Sequence, residues 1–109
     1  GFNQLAVSET NPNLMYVTTG AGLYRSMNGG ASWNFVSMPL RQNELAPTSV
    51  AIAPSSDNVV YVGAGSNIYK TLNGGSDWVI TDTGTKNIIN ALLVSRDLPQ
   101  VAYAGVYLK

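Results

Sequence analysis

The sequence predicts an all-β chain built from repeated units of four short antiparallel strands. Three observations carry this. The stretch "YRSMNGGASW", residues 24–33, returns as "YKTLNGGSDW", residues 69–78, at an offset of 45. The composition favours strands and turns, with 45% hydrophobic residues, 11 glycines and many Asn, Ser and Thr, but only 11% charged residues. No segment combines a helical period of apolar residues with capping residues at its ends.

The repeat sets the organisation, because self-similarity at a fixed period defines the structural unit. Residues 2–39 align with 47–84 without a gap, and the shared residues include Ala6/Ala51, Tyr16/Tyr61, Tyr24/Tyr69 and Trp33/Trp78. A third copy starts at Ile89, where "INALLVSRDLPQVAYAG" parallels "FNQLAVSETNPNLMYVT". Phe2/Ile89, Asn3/Asn90, Val7/Val94, Ser8/Ser95 and Tyr16/Tyr103 align. The units are 1–46, 47–88 and a partial 89–109.

Within a unit the first strand is short and apolar: Leu5–Ser8, Val50–Ala53, Ala91–Ser95. The clusters "ETNPN", "PSSDN" and "RDLPQ" then turn the chain. The second strand is Leu14–Thr18, Val59–Gly63 or Val101–Ala104, and its unbroken apolar run predicts burial on both faces. Gly20-Ala-Gly22 and Gly65-Ser-Asn67 make a tight hairpin into the third strand, Leu23–Ser26 or Ile68–Thr71. The Asn-Gly-Gly box turns into the fourth, Trp33–Ser37 or Trp78–Asp82. Four strands per unit at a period of 40–45 residues describe a β-propeller blade. The chain reads as two complete blades plus most of a third.

The box is a self-contained turn. Asn-Gly favours a hairpin, and the second glycine adds another position without a Cβ clash. Asn28 and Asn73 offer a side-chain oxygen to backbone N–H groups, and Ser26 and Thr71 a hydroxyl to the same turn. Trp33 and Trp78 are expected to pack as apolar plates on the hairpin and the neighbouring blade.

These residues resemble the Asp box, Ser/Thr-x-Asp-x-Gly-x-x-Trp, of the Asp-box (BNR-repeat, sortilin-like) β-propellers. That superfamily contains sialidases, xyloglucan-active glycoside hydrolases, the sortilin ectodomain and photosystem II assembly factors. The resemblance spans nearly the whole chain and implies a structural role for Ser26, Asn28, Gly30, Trp33, Thr71, Asn73, Gly75 and Trp78. Both boxes carry Asn where that family usually carries Asp. Hydrogen bonding survives the change, whereas a role needing negative charge does not.

Composition also excludes chemistry. Six basic and six acidic side chains cancel, so no basic stripe faces nucleic acid. Without Cys or His there is no thiolate nucleophile, no thiolate metal site and no imidazole base. No cofactor and no metal are expected, and no apolar run reaches the roughly 18 residues of a membrane helix.

The available carboxylates are Glu9, Glu44, Asp57, Asp77, Asp82 and Asp97. Glu9, Asp57 and Asp97 share the turn after the first strand and so line one rim, where turn-capping is the simpler role. Arg25, Arg41 and Arg96 occupy different repeat positions, which is unlike a sialidase arginine cluster. The non-repeated connection 38–47 carries Arg41 and Glu44 and is the candidate recognition loop.

The expected function is a non-catalytic interaction or scaffold module, part of a larger bacterial propeller at the envelope or secreted. The alternatives are a piece of a xyloglucanase- or sialidase-like hydrolase, or of an assembly factor for a membrane complex. A propeller needs roughly four to eight blades. The expected partner is the remainder of the ring or further copies of the chain, with a protein or glycan ligand.

Overall fold

The structure is a computed structural model that describes residues 2–40, 46–82 and 87–106. It is all-β. The first sheet is a four-stranded meander of β1 (Phe2–Val7), β2 (Met15–Thr19), β3 (Gly22–Ser26) and β4 (Asn34–Val36). The second repeats it with β5 (Pro47–Ile52), β6 (Val60–Ala64), β7 (Asn67–Thr71) and β8 (Val79–Asp82). A third sheet pairs β9 (Ile89–Val94) with β10 (Ala102–Val106). Every pairing is antiparallel.

Register follows the repeat. Ala6 faces Tyr16 as Ala51 faces Tyr61, and Tyr24 faces Phe35 as Tyr69 faces Ile80. The first strands begin earlier than their apolar cores, at Phe2 and Pro47. Each carries an irregularity two residues in, between Phe2 and Gln4 and between Pro47 and Ser49. The extra residue lets the strand extend although "FNQ" breaks the alternation.

Alternation of side chains gives each sheet two faces. The far face of the first sheet presents Tyr16, Leu23 and Val36. The near face of the second presents Val50, Val60, Val62, Ala64 and Tyr69, and the two faces share one core. The far face of the second sheet, with Ala53, Val59 and Tyr61, packs on Val94, Leu92 and Ala102 of the third. Each fully buried Val, Leu or aromatic side chain in these layers contributes about 1.5–3 kcal/mol.

β6 lies between both layers and all five of its residues are buried. β2 does not share that environment. Its Tyr16 and Thr18 are buried, while Met15, Val17 and Thr19 are half-buried. The expectation of two-faced burial therefore holds for β6 and fails for β2. The cause is placement: among the described residues no sheet covers the near face of β1–β4. Leu5 is 42% exposed there, whereas its repeat counterpart Val50 is 4% exposed.

Candidate functional site

The two boxes have the same internal bonding. Ser26 Oγ accepts from Asn28 N at 3.3 Å and Gly30 N at 2.8 Å, and donates to Asn28 Oδ1 at 2.9 Å. Asn28 Oδ1 also accepts from Ser32 N at 2.9 Å, which closes the turn. Thr71, Asn73, Gly75 and Asp77 repeat every one of these contacts. Gly29, Gly30, Gly74 and Gly75 all have positive φ, between 72° and 98°. A Cβ on either second glycine is disfavoured by backbone conformation alone.

The amide nitrogen explains why asparagine stands here. Asn73 Nδ2 donates to the Asp77 carboxylate at 2.9 Å, and Asn28 Nδ2 donates to Ser32 Oγ at 2.8 Å. An aspartate at 73 would set two carboxylates against each other, so Asn at the third box position fits Asp at the seventh.

The tryptophans differ in surroundings. Trp78 packs on the first sheet and donates from Nε1 to the Ser37 carbonyl at 3.1 Å. Trp33, its counterpart, lies on the uncovered near face. With Phe2, Val17, Thr19 and Tyr24 it lines an almost wholly apolar trough of about 350 Å³. Tyr24 meets Phe35 edge to face at 5.5 Å, and Phe35 is 59% exposed. Trp33 thus meets its own sheet and no neighbouring blade among the described residues.

Polar side chains stitch the sheets together, and sequence reasoning missed most of them. Asn3 Nδ2 donates to Pro47 O at 3.0 Å, Gln4 Oε1 accepts from Val50 N at 2.8 Å, and Arg25 Nη1 donates to Gly74 O at 2.8 Å. Tyr16 OH reaches the same Gly74 carbonyl at 3.4 Å. At the next junction Thr48 Oγ1 donates to Ile89 O at 2.6 Å, and Tyr61 OH to Pro99 O at 2.8 Å. A signal existed, since Asn3, Thr48 and Asn90 share one repeat position and each offers a side-chain donor.

The carboxylates of the rim are engaged locally. Asp57 accepts from the hydroxyls of Ser8 and Thr10 in the equivalent turn of the preceding sheet. Glu9 forms an ion pair with Arg96 at 2.7 Å, linking the first sheet to the third across 87 residues. Both side chains are largely exposed, so this pair contributes at most about 1 kcal/mol. Asp97 is exposed in the β9–β10 turn, and Asp82 ends β8 opposite Asn67, at the other end of the sheets. Arg41 and Glu44 lie outside the described residues. Among the described residues, no group of three or more His, Cys, Asp or Glu is placed to hold a metal, and no helix is long and apolar enough to cross a membrane.

Four-stranded meanders stacked face to face, each with its innermost strand beside that of the next, define a β-propeller, and this chain is part of one. Comparison with solved structures agrees. The chain is similar to an ancestral GH74 enzyme, at TM-score 0.74 and 22% identity over 95% of this chain. It is similar to a GH74 enzyme of Niastella koreensis, at TM-score 0.73 and 28% identity over 85%. It is also similar to the GH74 xyloglucanase of Xanthomonas campestris, at TM-score 0.76 and 14% identity over 96%. The chain spans only 16%, 15% and 19% of those three chains. No protein-family model and no curated protein matches the sequence.

Proposed function

We propose that these residues form part of the wall of a larger β-propeller of the glycoside hydrolase kind, with units 1–46, 47–88 and 89–109 as successive blades. The observation that carries this reading is the likeness in fold, over 85–96% of the chain, to three GH74 enzymes. The paired boxes, Ser26-x-Asn28 to Trp33 and Thr71-x-Asn73 to Trp78, support placing it among the Asp-box propellers.

Within that propeller the described residues hold the fold rather than the chemistry. A glycosidase needs two carboxyl groups roughly 5–9.5 Å apart, free to face the scissile bond. Here Asp57 is held by two hydroxyls, Asp77 by an amide and Glu9 by Arg96. These blades are a scaffold, and any acid and nucleophile or base come from elsewhere in the ring. A polysaccharide substrate, too large to enter a cell, suits an extracytoplasmic protein.

The test is release of reducing ends from xyloglucan. The 109-residue chain alone is expected to release none. A longer polypeptide that continues it into a closed ring is expected to be active, and to remain so with Asp57→Asn or Asp77→Asn. An inactive closed ring that co-purifies with a surface or membrane assembly would replace this reading with the pure scaffold one.

A further inference from the structure

We infer that the near face of the β1–β4 sheet is a docking site for one more four-stranded blade of this same repeat, supplied by the same polypeptide. The inference rests on the reading of the chain as propeller wall. It adds what the incoming blade must carry.

The second sheet shows what a near face of this repeat binds. Three of its groups are met by the preceding blade: Pro47 O by Asn3, Gly74 O by Arg25, and Trp78 Nε1 by Ser37 O. Subtracting the repeat offset of 45 gives Phe2 O, Gly29 O and Trp33 Nε1 on the near face of β1–β4. The first contact is a property of the repeat, since Thr48 meets Ile89 O in the same way at the next junction. The apolar parts correspond as well. Tyr69 and Val62 are wholly buried under the first sheet, while their counterparts Tyr24 and Val17 line the open trough.

The fitting partner is therefore defined by chemistry. Its first strand brings a side-chain donor for Phe2 O. Its third strand brings Arg or Lys for Gly29 O. The start and end of its fourth strand bring an apolar residue, as Val36 does against Gly75, and a carbonyl for Trp33. A second copy of this chain fits less well. Its open sheet, β9–β10, brings Asn90 and Tyr103, but the Arg25 and Val36 positions belong to a third and a fourth strand.

The test adds a duplicate of residues 2–46 ahead of Phe2 in the full chain. Trp78 and the duplicate's own tryptophan are changed to phenylalanine, so that Trp33 alone fluoresces. Acrylamide quenching of Trp33 is expected to fall severalfold against the chain without the added blade. Changing the duplicate's counterpart of Arg25 to Ala is expected to restore part of the quenching. As a second readout, Phe35→Lys is expected to lower the unfolding midpoint only when the added blade is present.

Unchanged quenching overturns the inference, and an added blade that fails to fold gives that result. So does a chain without the added blade that already protects Trp33 and sediments well above 11.6 kDa, because the occupant is then a second copy. None of these outcomes depends on xyloglucan hydrolysis. Protected Trp33 in an inactive ring keeps the docking site and removes the enzyme reading.

Discussion

Arg25 on β3 donates from Nη1 to the carbonyl of Gly74 at 2.8 Å, tying the first sheet to the box turn of the second across 49 residues. Gly74, at φ 72°, turns that carbonyl toward the first sheet, and the Tyr16 hydroxyl approaches the same oxygen. A charged donor to a part-buried carbonyl contributes about 1.5–3 kcal/mol. Arg25→Ala is therefore expected to cost that much in urea unfolding, and Arg25→Lys about half, since Tyr16 remains. An Arg25→Ala chain as stable as the parent would remove this contact from the account.

Asn73 and Asn28 make the same turn with different partners, which separates two substitutions that look alike. Asn73→Asp places a carboxylate beside Asp77 and removes the amide donor, so a loss of about 1 kcal/mol is expected. Asn28→Asp faces Ser32, whose hydroxyl turns to donate, and is expected to cost less than about 0.5 kcal/mol. The double variant Asn73→Asp/Asp77→Ser is expected to recover most of the loss. Equal costs for the two single changes would show that charge at the seventh box position is irrelevant.

Gly63 is the one residue of β6 whose missing side chain makes room for the third sheet. A Cβ built there meets Ile89 Cγ2 at 2.8 Å and Ile89 Cβ at 2.9 Å. Its counterpart in the first sheet, Thr18, carries a full side chain and accepts from Gln4 N at 3.0 Å. Gly63→Ala is expected to destabilise by about 1–3 kcal/mol through overpacking, although the backbone there tolerates alanine. Relief by Ile89→Ala in the double variant would identify the clash as the cause.

Much of this architecture was legible because the 45-residue offset keeps each period-2 face in step between copies. Tyr16 and Tyr61, or Leu23 and Ile68, must then face the same way. What stayed hidden depends on contacts that no local pattern encodes. Gln4 reaching Val50 and Glu9 reaching Arg96 join residues brought together only by the stacking of sheets. β2 and β6 have similar apolar runs, yet only β6 is covered on both faces. Trp33 and Trp78 likewise share a motif but not an environment. In each case the sequence element is the same and its neighbour differs.

The central claim is that β1–β4 and β5–β8 are one blade repeated, with the near face of the second packed on the far face of the first. The most direct measurement compares Val50→Ala with Leu5→Ala in the full chain by urea unfolding. The two positions are repeat counterparts and differ in cover alone. Val50→Ala is expected to cost about 2 kcal/mol, as large-to-small changes in a core do. Leu5→Ala is expected to cost less than about 0.5 kcal/mol, as at a surface. Equal costs at the two positions would contradict the stacking of blades described.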